Sequence, residues 1–402
     1  MVPRFAVAVA AVLAAIPAAQ TQVPPAALQD LLRAADIEAA PAAVLTQQAD
    51  PKALRIEAAV QAALKQTRVK AASVAVVRGE APVWLVAVGT RVGPADAAAN
   101  ADTVFRAASL SKPVFAYLVF TLINEGRLDL DRPLSQYLAK RLPEYPEYAD
   151  LAGDARYEAI TARLALSHRT GFPNWRWQTK DKKLGLQFNP GEKFLYSGEG
   201  YLYLQFVVEH ITGKDLETLA RERVFQPLGM TRTSYVWQDE YAGNCAIDRA
   251  PIEKIFGKRF LSVPNSAGSL LTTAADYGRF LSAVLTGRGL PSRWREEMLR
   301  PQTVVAVEQL FGPAVAAAPA TGREGSPFWC LGWGGFQDSA GTTRFHVGFD
   351  SPEYDNYATI YPGKTTGLVV LTSGGRGPAS ASPVFVKALI GDTDTPFRWM
   401  GY

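Results

Sequence analysis

Phe105-Arg-Ala-Ala-Ser-Leu-Ser-Lys-Pro-Val-Phe-Ala-Tyr-Leu-Val-Phe120 places a serine three residues before a lysine, and a proline opens a long apolar run directly after it. Val114, Phe115, Leu118, Val119, Leu122 and Ile123 recur at intervals of three and four, which predicts a helix from Pro113 through Leu128 with one broad buried face. A proline sits comfortably only in the first turn of a helix, so the helix starts at about Ser109 to Ser111. Residues three apart share a helix face, and the Ser109 hydroxyl and Lys112 amine come within hydrogen-bonding reach. Burial penalises a charged lysine, and a neutral amine can take the proton of a serine hydroxyl. The helix start adds N–H groups and a positive dipole end where an oxyanion would form. The plain alternative is a helix-capping Ser109 beside a snorkelling Lys112. No other Ser-x-x-Lys occurs in the chain.

The rest of the composition narrows the class. A chain of 402 residues, 48% hydrophobic and 20% charged, can bury a substantial core in one large or two modest domains. A net charge of +4 without a basic run gives no support to a nucleic-acid partner. Arg4, the apolar run Phe5 to Ile16 and the small residues Pro17, Ala18 and Ala19 follow the order of a secretory signal peptide, read as residues 1–19 with cleavage near Ala19. The apolar run is too short for a permanent anchor, so the expectation is an exported protein, periplasmic or secreted, with no stable membrane attachment. An Ala- and Pro-rich lead-in fills 20–54. Cys245 and Cys330 are either one disulfide or two buried thiols. The histidines His168, His210 and His346 lack ligand spacing, so neither a metal site nor a cofactor is expected. His168 and His210 read as structural, in a loop and in a helix respectively.

The order of elements predicts the architecture. Ile56 to Leu64 is amphipathic, and Ser73 to Val77 with Val83 to Val88 reads as a hairpin. Helices and loops follow to about Leu285, clearest at Leu202 to Ile211 and Tyr277 to Leu285. Strand-like runs return at Leu331 to Phe336, Thr342 to Val347, Tyr357 to Tyr361 and Leu368 to Thr372, before a last helix at Val384 to Ile390. Early and late strands joined in one layer give an α+β fold: an antiparallel sheet flanked by helices, with an inserted mainly helical lobe and a cleft between. The domain spans 55–400, with the α/β lobe at about 55–112 and 325–395 and the helical lobe at about 113–324.

Several motifs, in order, carry a family resemblance. They are Phe105-Arg-Ala-Ala-Ser109-Leu-Ser-Lys112, Asn124-Glu-Gly-Arg-Leu-Asp-Leu-Asp131, Leu166-Ser-His-Arg-Thr-Gly-Phe-Pro173, Pro190-Gly-Glu-Lys-Phe-Leu-Tyr196-Ser-Gly198, Gln226-Pro-Leu-Gly-Met230, Ser266-Ala-Gly-Ser-Leu270 and His346-Val-Gly348. The series resembles the penicillin-recognising serine hydrolases, which include class C β-lactamases, DD-peptidases and β-lactamase-like esterases. The resemblance implies that Ser109 forms an acyl-enzyme with Lys112 helping to remove its proton, and that Tyr196 is the second proton-transfer partner. A tyrosinate held between two cations would serve as that base; a satisfied core aromatic is the alternative. The oxyanion would lie between the N–H groups of Ser109 and Phe349, and Gly348 would keep the strand clear for substrate. Ser197, Gly198 and His346 would also line the substrate site.

Two departures bear on substrate. The second motif ends in Gly198, where class C β-lactamases carry an asparagine that contacts the antibiotic's amide. The third motif begins with His346 in place of a carboxylate-attracting lysine, and a histidine is largely neutral at pH 7. Lys364-Thr-Thr-Gly367 follows Tyr361-Pro-Gly and reads as a turn between strands. Glu199 reads as a solvated surface carboxylate in preference to a recognition group, and Asn174-Trp-Arg-Trp177 as a loop that shapes the pocket. These features favour hydrolysis of an ester or small amide, esterase-like activity first, on a small-molecule or cell-wall-derived substrate, with a β-lactamase or D-amino-acid peptidase as the alternative. A non-catalytic binding protein on this scaffold would lack one of Ser109, Lys112 and Tyr196, and no Gly-x-Ser-x-Gly elbow suggests an α/β-hydrolase.

Overall fold

The computed structural model describes residues 51–397 except 68, 92–96, 248, 258, 306–314, 317–326, 339–340, 350–353, 375–380 and 392–396. The segment read as a signal peptide, its cleavage site and nearly all of the lead-in lie outside the described residues. One sheet carries the fold. Its strands are β1 (Ala71–Arg78), β2 (Ala81–Gly89), β3 (Thr303–Val304), β4 (Phe328–Trp329), β5 (Gly334–Asp338), β6 (Gly341–Phe349), β7 (Asp355–Tyr361) and β8 (Thr366–Ser373). Their order is β2-β1-β8-β7-β6-β5-β4-β3, antiparallel throughout. The early hairpin meets the late strands where β1 pairs β8, from Ala71↔Ser373 to Arg78↔Thr366.

Five helices matter to the site: α1 (Pro51–Gln66), α2 (Ser111–Asn124), α3 (Gly198–Thr212), α4 (Ala274–Thr286) and α5 (Ala381–Ile390). Alternation along the strands sends Val74, Val76, Leu368 and Val370 toward Ile56 and Val60 of α1 and Phe385 and Leu389 of α5. Ala75, Val77, Val369 and Leu371 face the other way, into a larger core shared with α2, α3 and α4. Each large side chain so buried contributes about 1.5–3 kcal/mol, which makes these two layers the main source of stability. Among the described residues no helix is long and apolar enough to cross a membrane.

Three expectations need correction, and one open alternative is decided. The run Leu331 to Phe336 is not one strand: β4 ends at Trp329, and Gly332 turns the chain at φ 93°, where a Cβ would run into Ala116 of α2. The helix predicted to Leu128 stops at Asn124. The span 113–324 is not wholly a helical lobe, because α4 packs on β1 and β8 and β3 joins the sheet edge. Cys245 and Cys330 are both free, in separate clusters. The Cys330 thiol donates to Leu299 O (3.1 Å), and burial pushes it up to about 11. The Lys364 segment is a turn between β7 and β8, as read.

Candidate active site

The serine is presented by a constrained turn. Ala108 adopts φ 48°, a left-handed value that costs a non-glycine residue about 1 kcal/mol or more and persists only where neighbours enforce it. Here Ser111 Oγ donates to Ala108 O (2.6 Å) and accepts from Leu270 N–H (3.0 Å). The hydroxyls of Tyr277 and Tyr235 donate to the carbonyls of Leu110 and Ser111, each at 3.0 Å. Ala108–Leu110 therefore forms a single 3-10 turn that runs into α2. Ser109 is half-buried on it, while Lys112, in the first turn of α2, is fully buried.

Lys112 Nζ donates to Ser109 Oγ (3.1 Å) and to Ala267 O (2.7 Å). The three-residue spacing thus produces the pair that it predicts, and the Ser266 to Leu270 motif supplies a carbonyl that aims the amine. Nζ also lies 4.8 Å from the centre of the Tyr196 ring and 5.6 Å from that of Tyr201, where a cation is attracted to the aromatic face.

Tyr196 is buried just before the N-terminus of α3. Burial pushes its phenol well above the usual value, and the nearby Ser109 hydroxyl pulls the other way. A phenol raised in this way keeps its proton near neutral pH, which differs from the tyrosinate that the resemblance implies. His346 is fully buried beside Lys112, and those two causes pull its imidazole down to about 3. Its Nδ1 lies 2.8 Å from Val347 O, so the neutral ring carries its proton there and leaves a lone pair on Nε2.

Sequence reasoning assigned His168 to a structural loop, yet the structure brings it against the site. Its ring packs on Tyr196 at 4.2 Å between centroids and on Trp329 at 5.0 Å. Its Nδ1 accepts from Ser197 N–H (3.0 Å), which fixes the proton on Nε2. Burial first, then Lys112 and His346, hold it well below the usual histidine range. Asn356 was also missed. Its Nδ2 donates to Arg106 O (2.9 Å) and Gly348 O (3.1 Å), and its Oδ1 accepts from Thr372 N–H (2.8 Å), which ties β6, β7 and β8 to the segment before Ser109.

The remaining predicted residues are placed differently from their expected uses. Ser197 Oγ accepts from Gly200 N–H (2.9 Å) and donates to Pro173 O (2.8 Å), so it caps α3. A Cβ on Gly198 would stand 2.7 Å from the Trp175 ring, whose edge fills the position. Glu199 is not solvated: it is 2% exposed and pairs with Arg176 (2.7 Å), while Arg176 N–H also donates to it (2.9 Å). A Cβ on Gly348 would run into Ala107 O, with Leu110 Cγ and Asn356 Cβ at 3.1 Å. That glycine lets β6 press on the serine turn, where the expectation was clearance for substrate. Phe349 follows it, with its side chain exposed.

Residues 56–389 match the family described as Beta-lactamase. Esterase EstB of Burkholderia gladioli is 28% identical over 210 residues, 46% of this chain and 52% of the esterase, so the matched part spans about half of that protein. Penicillin-binding protein 4 of Amycolatopsis lactamdurans is 24% identical over 319 residues, 73% of this chain and 78% of the relative. Among solved structures, the octameric penicillin-binding protein homologue from Pyrococcus abyssi superposes with a TM-score of 0.65 at 18% identity, covering 86% of this chain and 79% of that one. At that identity the likeness shows the fold.

Proposed function

The chain belongs to the β-lactamase family, and on that premise we propose that it is an exported serine hydrolase that cleaves an ester through an acyl-enzyme on Ser109. The observation that carries the reading is the buried Lys112 amine, 3.1 Å from Ser109 Oγ and aimed by Ala267 O. When the amine is neutral the hydrogen bond reverses, and Lys112 takes the serine proton as Oγ attacks the carbonyl carbon. The N–H groups of Ser109 and Phe349 receive the oxyanion, since Gly348 brings β6 onto the serine turn. Tyr196, kept protonated by burial, donates its proton to the departing alkoxide and regains one from Lys112. Water then attacks the acyl-enzyme by the same path in reverse.

Two observations favour an ester over a β-lactam or a peptide with a terminal carboxylate. His346 is neutral and offers a lone pair, which repels a carboxylate. Gly198 offers no amide, and Trp175 fills its place. Steady-state turnover of p-nitrophenyl acetate and of nitrocefin, by the wild type and Ser109→Ala, tests the reading. Ester cleavage well above nitrocefin cleavage, both lost in the variant, is expected. Rapid nitrocefin turnover would make the protein a working β-lactamase, and ester turnover that survives Ser109→Ala would remove the serine from the mechanism.

A further inference from the structure

Four large apolar side chains stand out of the described surface: Leu54, Trp177, Val263 and Phe349. Phe349 follows Gly348 on β6, the strand that presses on the serine turn, and Trp177 belongs to the loop that folds over Gly198 of the second motif.

Trp177 is the most exposed of the four, at 55%, and it is not loose. Its ring stacks on Trp175 with 6.3 Å between centroids and 12° between planes. The loop beneath is pinned to the second motif. Asn174 O and Oδ1 both accept from Gly198 N–H at 3.0 Å, and Arg176 pairs with the buried Glu199. Arg176 also donates to Glu147 O (2.6 Å) and lies 5.7 Å from the Tyr148 ring centre. A buried ion pair is an expensive way to hold a surface loop unless its geometry is well satisfied, and here it fixes two aromatic rings in advance of binding. Asn174, Arg176 and Glu199 are engaged within this wall, and Trp177 is its exposed aromatic side chain.

Resting on the reading of Ser109 as an ester-cleaving nucleophile, we propose that Trp175 and Trp177 form a platform for a flat apolar group of the substrate, an aromatic acyl or an aromatic alcohol half. The Trp175 ring edge meets the Cβ position of Gly198, two residues after Tyr196, whose phenol lies beside the Ser109 hydroxyl, so the platform adjoins the motif that borders the nucleophile. Stacking on a preformed aromatic pair gives about tenfold in affinity or more.

Methyl phenylacetate and benzyl acetate are isomers that carry the same ring on opposite halves of the ester, and methyl acetate has no ring. Hydrolysis of all three is followed by alkali uptake with the wild type, Trp177→Ala and Trp177→Phe. The wild type is expected to prefer one isomer over both the other isomer and methyl acetate by about tenfold in kcat/KM, and the preferred isomer identifies the half that is bound. Trp177→Ala should erase that preference and Trp177→Phe should keep most of it. Unchanged ratios in Trp177→Ala overturn the platform. If the wild type cleaves none of the three, the ester reading fails separately. The platform is then judged by titrating both isomers into Ser109→Ala, followed by tryptophan fluorescence. A saturable change abolished by adding Trp177→Ala supports it, and no difference between the two proteins overturns it.

Discussion

Gly198 and Gly348 stand on the two segments that flank Ser109, and each lacks a side chain for a different physical reason. At Gly348 the obstacle is the backbone oxygen of Ala107, which belongs to the serine's own turn. At Gly198 the nearest obstacle is the far edge of the Trp175 side chain (2.7 Å), with the Asn174 carbonyl oxygen next at 3.0 Å, in a loop that the second motif holds in place. The first wall is set by main-chain packing, and in the proposed function it serves the chemistry. The second is a side-chain surface laid over the motif, and in the proposed function it serves selection.

The sharpest way to break this contrast is to add one methyl group to each wall. Gly348→Ala must push β6 away from Ala107 O, and with it the Phe349 N–H, so kcat/KM should fall by about 10²- to 10³-fold, the usual loss of an oxyanion donor. Wild-type turnover in this variant would show that the close approach is not what positions the strand.

Acid tests the inner wall by another route. His346 is held near 3 in the fold against 6.5 for a free imidazole. Below 6.5 the unfolded chain binds a proton that the folded one refuses, so stability is full above that pH and declines as the pH falls toward 3. The loss is on the order of 4 kcal/mol for His346, and the buried His168 adds to it in the same direction. Chemical denaturation between pH 7 and pH 4 should show this slope, and His346→Gln should flatten it. A slope that the variant leaves intact would mean that the imidazole is not the group that refuses the proton.

The smallest effect belongs to the outer wall. Gly198→Ala can be accommodated by a shift of the Trp175 ring, so kcat/KM for a small acetate ester should change by about tenfold or less. The thermal midpoint should stay within a few degrees of the wild type. A collapse as severe as that of Gly348→Ala would erase the distinction between the walls.

The legible part of the site was the part built from local spacing. Ser109 and Lys112 are three apart on one helix, so periodicity alone could pair them. The joining of early and late strands in one antiparallel sheet was legible because β1 and β8 are Val- and Leu-rich runs near opposite ends of the domain. What escaped depends on contacts between distant segments. Glu199 looked solvated because nothing near it in sequence announces Arg176, 23 positions away. His168 has an ordinary loop context, and its role follows only from packing against Tyr196 and Trp329. Gly332 hid a turn inside an apolar run because α2 passes beneath it. The two cysteines could be counted, but only the fold shows that they occupy separate clusters.

In the proposed mechanism Ser109 carries the acyl group. Intact-mass spectrometry of the protein, acid-quenched during turnover of a p-nitrophenyl ester and followed by peptide mapping, tests it directly. A mass increase equal to the acyl group, located on Ser109 and absent from Ser109→Ala, is the predicted result. Turnover with an unmodified protein, or with the acyl group on another residue, would rule out Ser109 as the nucleophile.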